Sequence, residues 1–261
     1  GIGVTASWVL AALMCAAMAW AGFSKRRNQR RFGVQSNPLW LHLGVLAVPV
    51  LIVLGLAAAF AGSLVAIWQT DLKRMLAYSS VAQIGYIATA IGIGNHDSVV
   101  AAIVHVFNHG LMKGALFLAL GAVAYRLGTV KLADLSGIGR RMPLTCAAFV
   151  IGGLGIIGTP GTAGFISKWY LAVGALDRGW WPLVFLIVAS SLISVVYIGR
   201  VVEVAYFRTP SGACQTAKDP PLNMLLPILL LGAATVYFGI DTELTVGIAG
   251  RVAEGLVGGL K

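Results

Sequence analysis

Six stretches of this chain contain no Asp, Glu, Lys or Arg: residues 1–24, 32–70, 75–96, 142–167, 179–199 and 220–240. About 20 apolar residues cross a bilayer as a helix. With the 99–125 segment added, the chain has seven hydrophobic spans. A segment facing lipid must satisfy its own backbone donors and acceptors, which leaves helices as the spanning element. The expected fold is therefore an all-α, polytopic helical bundle of about seven spans. A composition of 58% hydrophobic and 11% charged residues agrees, with mean hydropathy +0.87.

The net charge of +10 sits mainly in short loops. Basic residues there set membrane topology, and no solvated basic surface is left for nucleic acid. Of three cysteines, Cys15 and Cys146 fall in spans and Cys214 in a loop, without metal-type spacing. The first span, 4–23, has its positive charges after it rather than before, so it is not read as a cleavable leader. The chain begins on Gly, which reads as a fragment or a processed product.

The basic run SKRRNQRR at 24–31 anchors one membrane face, and Pro49 kinks or opens the second span, 39–68. Thr70 and Asp71 mark a helix start. The fifth segment, 142–174, would reach ~50 Å as one helix, too long for a ~30 Å core. Its middle carries Gly158, Pro160 and Gly161, where Pro removes a hydrogen bond and Gly tolerates irregular backbone. A discontinuous helix is expected there. The tail after Asp241 reads as an interfacial helix or partial span.

Alternating spans put the 71–74, 126–141 and 207–219 loops on one side, with net charges +1, +3 and +1. The opposite side receives 95–97 at −1, 177–178 at 0 and 24–31 at +5. The N-terminal basic run opposes the rest; the later loops place 126–141 in the cytoplasm.

His105, His109 and Lys113 recur at i, i+4 and i+8 on one helical stripe inside an apolar span. Lys113 lies near the middle of the 27-residue 99–125 span, beyond the reach of snorkelling. An ammonium at that depth costs at least ~2.5–3.5 kcal/mol, which marks a functional site. Loss of hydration disfavours a charged lysine, and imidazole titrates near neutrality, so the stripe suits proton relay. Packing histidines and a two-histidine metal pair remain the alternatives. Lys168 follows the expected break, with a helix-end anchor as its structural alternative. Ser79, Gln83 and Tyr86 share one face of the third span, where they line a polar path or glue helices. Arg200 and Glu203 stand three apart and are expected to pair. The spans hold few acids to balance the two lysines.

The stretches TDLKRMLAYSSVAQIGY (70–86), HVFNHGLMKGALFLALG (105–121) and RRMPLTCAAFVIGGLGIIGTPGTAGFISKWYL (140–171) resemble the antiporter-like proton-conducting membrane subunits. These occur in respiratory complex I, membrane-bound hydrogenases and Mrp-type sodium/proton antiporters. The continuation WWPLVFLIVASSLISVVYIGRVVEVAYFR (180–208) is most similar to the Mrp-type branch. The resemblance implies two inverted five-helix repeats, each with a broken helix, of which this chain matches the C-terminal one. It makes His105, His109 and Lys113 the central relay and Lys168 the ionisable residue after the break. The first repeat's membrane glutamate and second lysine have no match here.

The chain then divides into an atypical span and basic loop (1–45), an antiporter-like repeat (46–210) and a last span with its tail (211–261). The implied role is a proton-conducting subunit of a multisubunit complex in a bacterial plasma membrane. Its partners are other membrane subunits, protons, sodium and lipid. An Mrp-type antiporter is the first reading and a complex I or hydrogenase subunit the second. No nucleotide motif, iron–sulfur cysteine set or flavin site is present, so no cofactor is expected and any redox chemistry belongs to partners. A non-transporting scaffold, which would tolerate Lys113→Leu, is the third reading.

Overall fold

The computed structural model describes residues 38–210 and 212–257. The 4–23 span and the 24–31 basic run lie outside the described residues. Among the described residues the chain forms eight α-helices: α1 (Pro38–Trp68), α2 (Leu72–Ile93), α3 (His96–Leu127), α4 (Pro143–Ile157), α5 (Ala163–Asp177), α6 (Trp181–Val202), α7 (Leu222–Ile240) and α8 (Glu243–Val257). Five of them (α1, α2, α3, α6 and α7) are long and apolar enough to cross a membrane. A sixth span counts if the short turns at Leu132–Arg140 join α4, from which they bend by 112°.

Sequence chemistry sets the helix ends. Asp71 accepts from the Arg74 amide at 3.1 Å, as the expected start at 70–71 requires. Asn95 and Ser98 form a reciprocal capping box that starts α3. Gly94 and Gly128 end α2 and α3 in the left-handed conformation. Pro49 lies inside α1.

The 142–174 segment is broken, as expected. α4 and α5 have 15 residues each, and five residues separate them. Each half rises only ~22 Å. Gly158 and Gly161 hold φ of +86° and +84°, the region where a side chain is strained.

α3 is the central helix and packs against α2, α4, α5, α7 and α8. The α1–α2 pair meets backbone to backbone. A methyl on Gly62 would stand 2.8 Å from the Tyr78 carbonyl oxygen, and one on Gly55 would stand 2.7 Å from that of Gly85. In a membrane, where lipid is as apolar as leucine, such close contact is a main source of helix association. The outward faces of α1, α6 and α7 are apolar, with Leu54, Phe185, Leu192 and Leu230 exposed.

The three loops assigned to one side do meet at one end. Leu72 N donates to Val130 O (3.1 Å) and Leu132 N to Thr70 O (2.9 Å). Gly137 N donates to Val204 O at 3.0 Å, and Cys214 Sγ contacts Asp134 O at 3.0 Å. Asp219, from the 207–219 loop, accepts from the Thr145 hydroxyl (2.7 Å) and amide (3.0 Å) at the start of α4.

One expected pair does not form. Arg200 donates to the Ile67 carbonyl at 2.6 Å, while Glu203 pairs with Arg208 at 3.1 Å. The carbonyls of the last turn of α1 lack helical partners and draw the guanidinium. α6 also widens into a π-helical turn over Glu203–Phe207, which changes the i, i+3 geometry. The tail forms α8, a 15-residue helix whose buried Ala249 and Ala253 pack on Val100 and Val104 of α3.

Candidate functional site: two buried lysines and the residues between them

Two lysines are buried within the bundle, Lys113 on α3 and Lys168 on α5. Neither takes part in an ion pair among the described residues. Lys168 is held instead by two backbone carbonyls and a hydroxyl, and Lys113 by one carbonyl and a hydroxyl. Lys168 Nζ donates to Ile156 O (2.8 Å), Ile157 O (3.1 Å) and Ser191 Oγ (2.9 Å). It also lies 4.8 Å from the centroid of the Tyr86 ring.

The break explains that arrangement. Ile156 and Ile157 end α4, where carbonyls have no helical donor and carry the negative end of the helix dipole. Gly158 makes room, since a Cβ there would stand 2.9 Å from Lys168 Cδ. Pro160 and Gly161 complete the turn that returns the chain into α5.

Lys113 Nζ donates to Leu76 O at 2.7 Å and to Ser79 Oγ, both on α2. The Leu76 carbonyl also accepts from the Ser79 and Ser80 hydroxyls, at 2.9 and 3.1 Å.

Between the lysines stand the two histidines, both buried. Their rings are nearly parallel, 6.3 Å apart between centroids. His105 Nδ1 shares a 2.7 Å hydrogen bond with Ser167 Oγ, one residue before Lys168. The Tyr86 ring stands edge-on to His105 at 6.0 Å. Tyr86 therefore touches both His105 and Lys168.

Three polar atoms along this line have no hydrogen-bond partner among the described residues: His105 Nε2, His109 Nδ1 and Asn108 Oδ1. Gln83, fully buried, has none for either amide atom. Buried polar groups are satisfied in nearly all proteins, so a line of unpartnered ones marks this region as the candidate polar path. No third His, Cys, Asp or Glu gathers beside the histidine pair among the described residues.

The structure thus brings together His105, His109, Lys113, Lys168, Ser79 and Tyr86, with Gln83 on the same α2 face. Sequence reasoning missed Asn108, Ser167, Ser190, Ser191, Ser194 and Tyr197. Asn108 donates to Ala163 O at 2.6 Å and fastens α3 to the first turn of α5. The α6 residues carried a legible signal, since Ser190, Ser194 and Tyr197 fall at i, i+4 and i+7.

The family described as NADH:quinone oxidoreductase/Mrp antiporter, TM, matches residues 4–194. The chain belongs to that family. Its match begins upstream of residue 70, where the first quoted stretch opens, and takes in the N-terminal span. Over 210 residues the chain is 44% identical to NADH-quinone oxidoreductase subunit N of Desulforudis audaxviator (strain MP104C), covering 75% of this chain and 42% of that protein. A chain of the membrane-bound sulfane sulfur reductase, an archaeal respiratory membrane complex, matches with a TM-score of 0.74 at 30% identity. That match covers 80% of this chain and 42% of that one. A chain of respiratory complex I from Thermus thermophilus shares the fold, with a TM-score of 0.75 at 23% identity over 84% of this chain and 46% of that one. The chain spans less than half the length of each of these relatives.

Proposed function

We propose that this chain is the proton-conducting part of a membrane subunit in a multisubunit complex of a bacterial plasma membrane. The observation that carries the reading is the pair of buried lysines with no acidic partner among the described residues, joined by two buried histidines that each have a ring nitrogen unpartnered among those residues. His105, His109 and Lys113 relay the proton along α3. Lys168 takes it up or releases it at the broken helix, and Ser79, Gln83 and Tyr86 line the path. A change of charge on Lys168 acts on the His105–Lys113 stripe through the low dielectric between them, where charges couple strongly.

The kinship with NADH-quinone oxidoreductase subunit N favours a complex whose energy comes from quinone-linked redox chemistry in partner subunits. The 180–208 stretch, similar to the Mrp-type branch, supports a second reading, sodium/proton antiport. The two differ in what drives transport. Membrane vesicles containing the complete complex would acidify on addition of electron donor and quinone in the first case, and on imposition of a sodium gradient in the second. In either case Lys168→Ala is expected to abolish proton transport while the complex still assembles. Transport at the unsubstituted rate would refute the assignment of Lys168.

A further inference from the structure

The polar residues of α6 have no place in the histidine stripe. Ser190, Ser194 and Tyr197 are buried on one face of α6, and Ser191 adjoins them half-buried. At one end of this row the Tyr86 hydroxyl shares hydrogen bonds with Ser190 Oγ (2.6 Å) and Ser191 Oγ (3.3 Å). Ser191 in turn accepts from Lys168 at 2.9 Å. At the other end Tyr197 donates to Ser194 Oγ at 3.1 Å. Its hydroxyl also faces Ser79, which accepts from Lys113.

In the middle, no hydrogen bond among the described residues joins Ser194 to Ser190. Tyr86 meets Ser190 and Ser79 meets Tyr197, so α2 and α6 run antiparallel here. Gln83 lies between Ser79 and Tyr86 on the same α2 face and falls opposite the α6 turn from Ser190 to Ser194. It is fully buried, and neither amide atom has a partner among the described residues. An amide in that position can hold a water molecule against the two serine hydroxyls, which supplies the 2–4 polar contacts, about three on average, that a buried water needs.

We infer that the α6 face of Ser190, Ser191, Ser194 and Tyr197, completed by Gln83, is a second proton branch between Lys113 and Lys168, parallel to the histidines. The inference rests on the proton-conducting reading of the two lysines. The Lys113 ammonium passes a proton to Ser79 Oγ as Ser79 releases its hydroxyl proton to Tyr197. Tyr197 releases its own to Ser194, and Ser194 to the water held by Gln83. That water protonates Ser190, and the transfer continues through Tyr86 and Ser191 to the neutral amine of Lys168. Each oxygen gains one proton and loses one, only O–H and N–H bonds change, and one proton moves from Lys113 to Lys168. The same chain runs in reverse.

The test is proton flux in vesicles containing the complete complex, with assembly checked for each variant. Tyr197→Phe removes the hydroxyl and keeps the buried ring. With two branches of similar capacity, Tyr197→Phe and His109→Phe each leave roughly half the flux, and the double variant loses far more than either alone. Gln83→Leu, which also alters the lining of the histidine path, is expected to lose at least as much flux as Tyr197→Phe. Unsubstituted flux in Tyr197→Phe, together with no added loss when it is combined with His109→Phe, would overturn the second branch and leave the histidine relay standing. Lys113→Ala is the separate control. Full flux in that variant would remove the proton-conducting reading and the branch with it.

Discussion

Lys113 and Lys168 are the same side chain in two different backbone settings. Lys168 faces the open end of α4, where the carbonyls of Ile156 and Ile157 have no helical donors to compete for. Lys113 reaches into the side of an intact helix and takes a share of one carbonyl, Leu76 O, that two serine hydroxyls already use. The first setting aligns a helix dipole with the charge; the second offers a crowded acceptor and a hydroxyl that can itself pass a proton on. Breaking a helix at membrane depth therefore does more than fit a long segment into a bilayer. It creates a site where a cation is held with no acidic partner among the described residues.

That contrast can be broken most severely at the α4–α5 crossing. A Cβ on Gly164 would overlap the Gly155 carbonyl and stand 2.9 Å from Met112 Sδ. Gly164→Val is expected to destabilise by ~3 kcal/mol or more and to reduce recovery of the assembled complex, measured by native gel after detergent extraction. Gly158→Ala acts next. The left-handed backbone at φ +86° and the contact with Lys168 Cδ predict a loss of roughly 1–3 kcal/mol in thermal unfolding of the solubilised complex. If the α4 end is what steadies Lys168, flux in this variant should fall further than stability alone explains.

Asn108→Leu sharpens the comparison from the other side. It removes the 2.6 Å hydrogen bond to Ala163 O that fastens the intact helix to the broken one. A loss of about 1 kcal/mol is expected in the same unfolding measurement. The smallest effect belongs to Glu203→Gln, at an exposed position in the π-helical turn after α6. Both members of the Glu203–Arg208 pair are exposed, at 56% and 53%, so the change should stay within ~0.5 kcal/mol.

Much of this was legible in the sequence. Uncharged runs gave the spans, Gly158, Pro160 and Gly161 gave the break, and the i, i+4, i+8 spacing put His105, His109 and Lys113 on one stripe. Loop alternation correctly grouped the three loops that meet at one end. What stayed hidden depends on which faces meet. Ser167 bonds His105 across 62 residues, and Ser190 bonds Tyr86 across 104. Serines in apolar helices mostly bond their own preceding turn, as Ser190 does with Ile187 O at 3.0 Å; the i, i+4, i+7 spacing of Ser190, Ser194 and Tyr197 marks a polar face on α6 but not the helix it meets. The Arg200–Glu203 expectation failed for a related reason. Spacing along one helix says nothing about the unsatisfied carbonyls of α1 packed beside it.

The central claim is that Lys113 carries the transported proton. The most direct measurement is proton flux in inverted membrane vesicles holding the complete complex, with Lys113→Ala compared against the unsubstituted chain at equal assembly. The account predicts that flux is lost. Flux at the unsubstituted level would contradict it and leave the buried lysine a packing feature of a membrane scaffold.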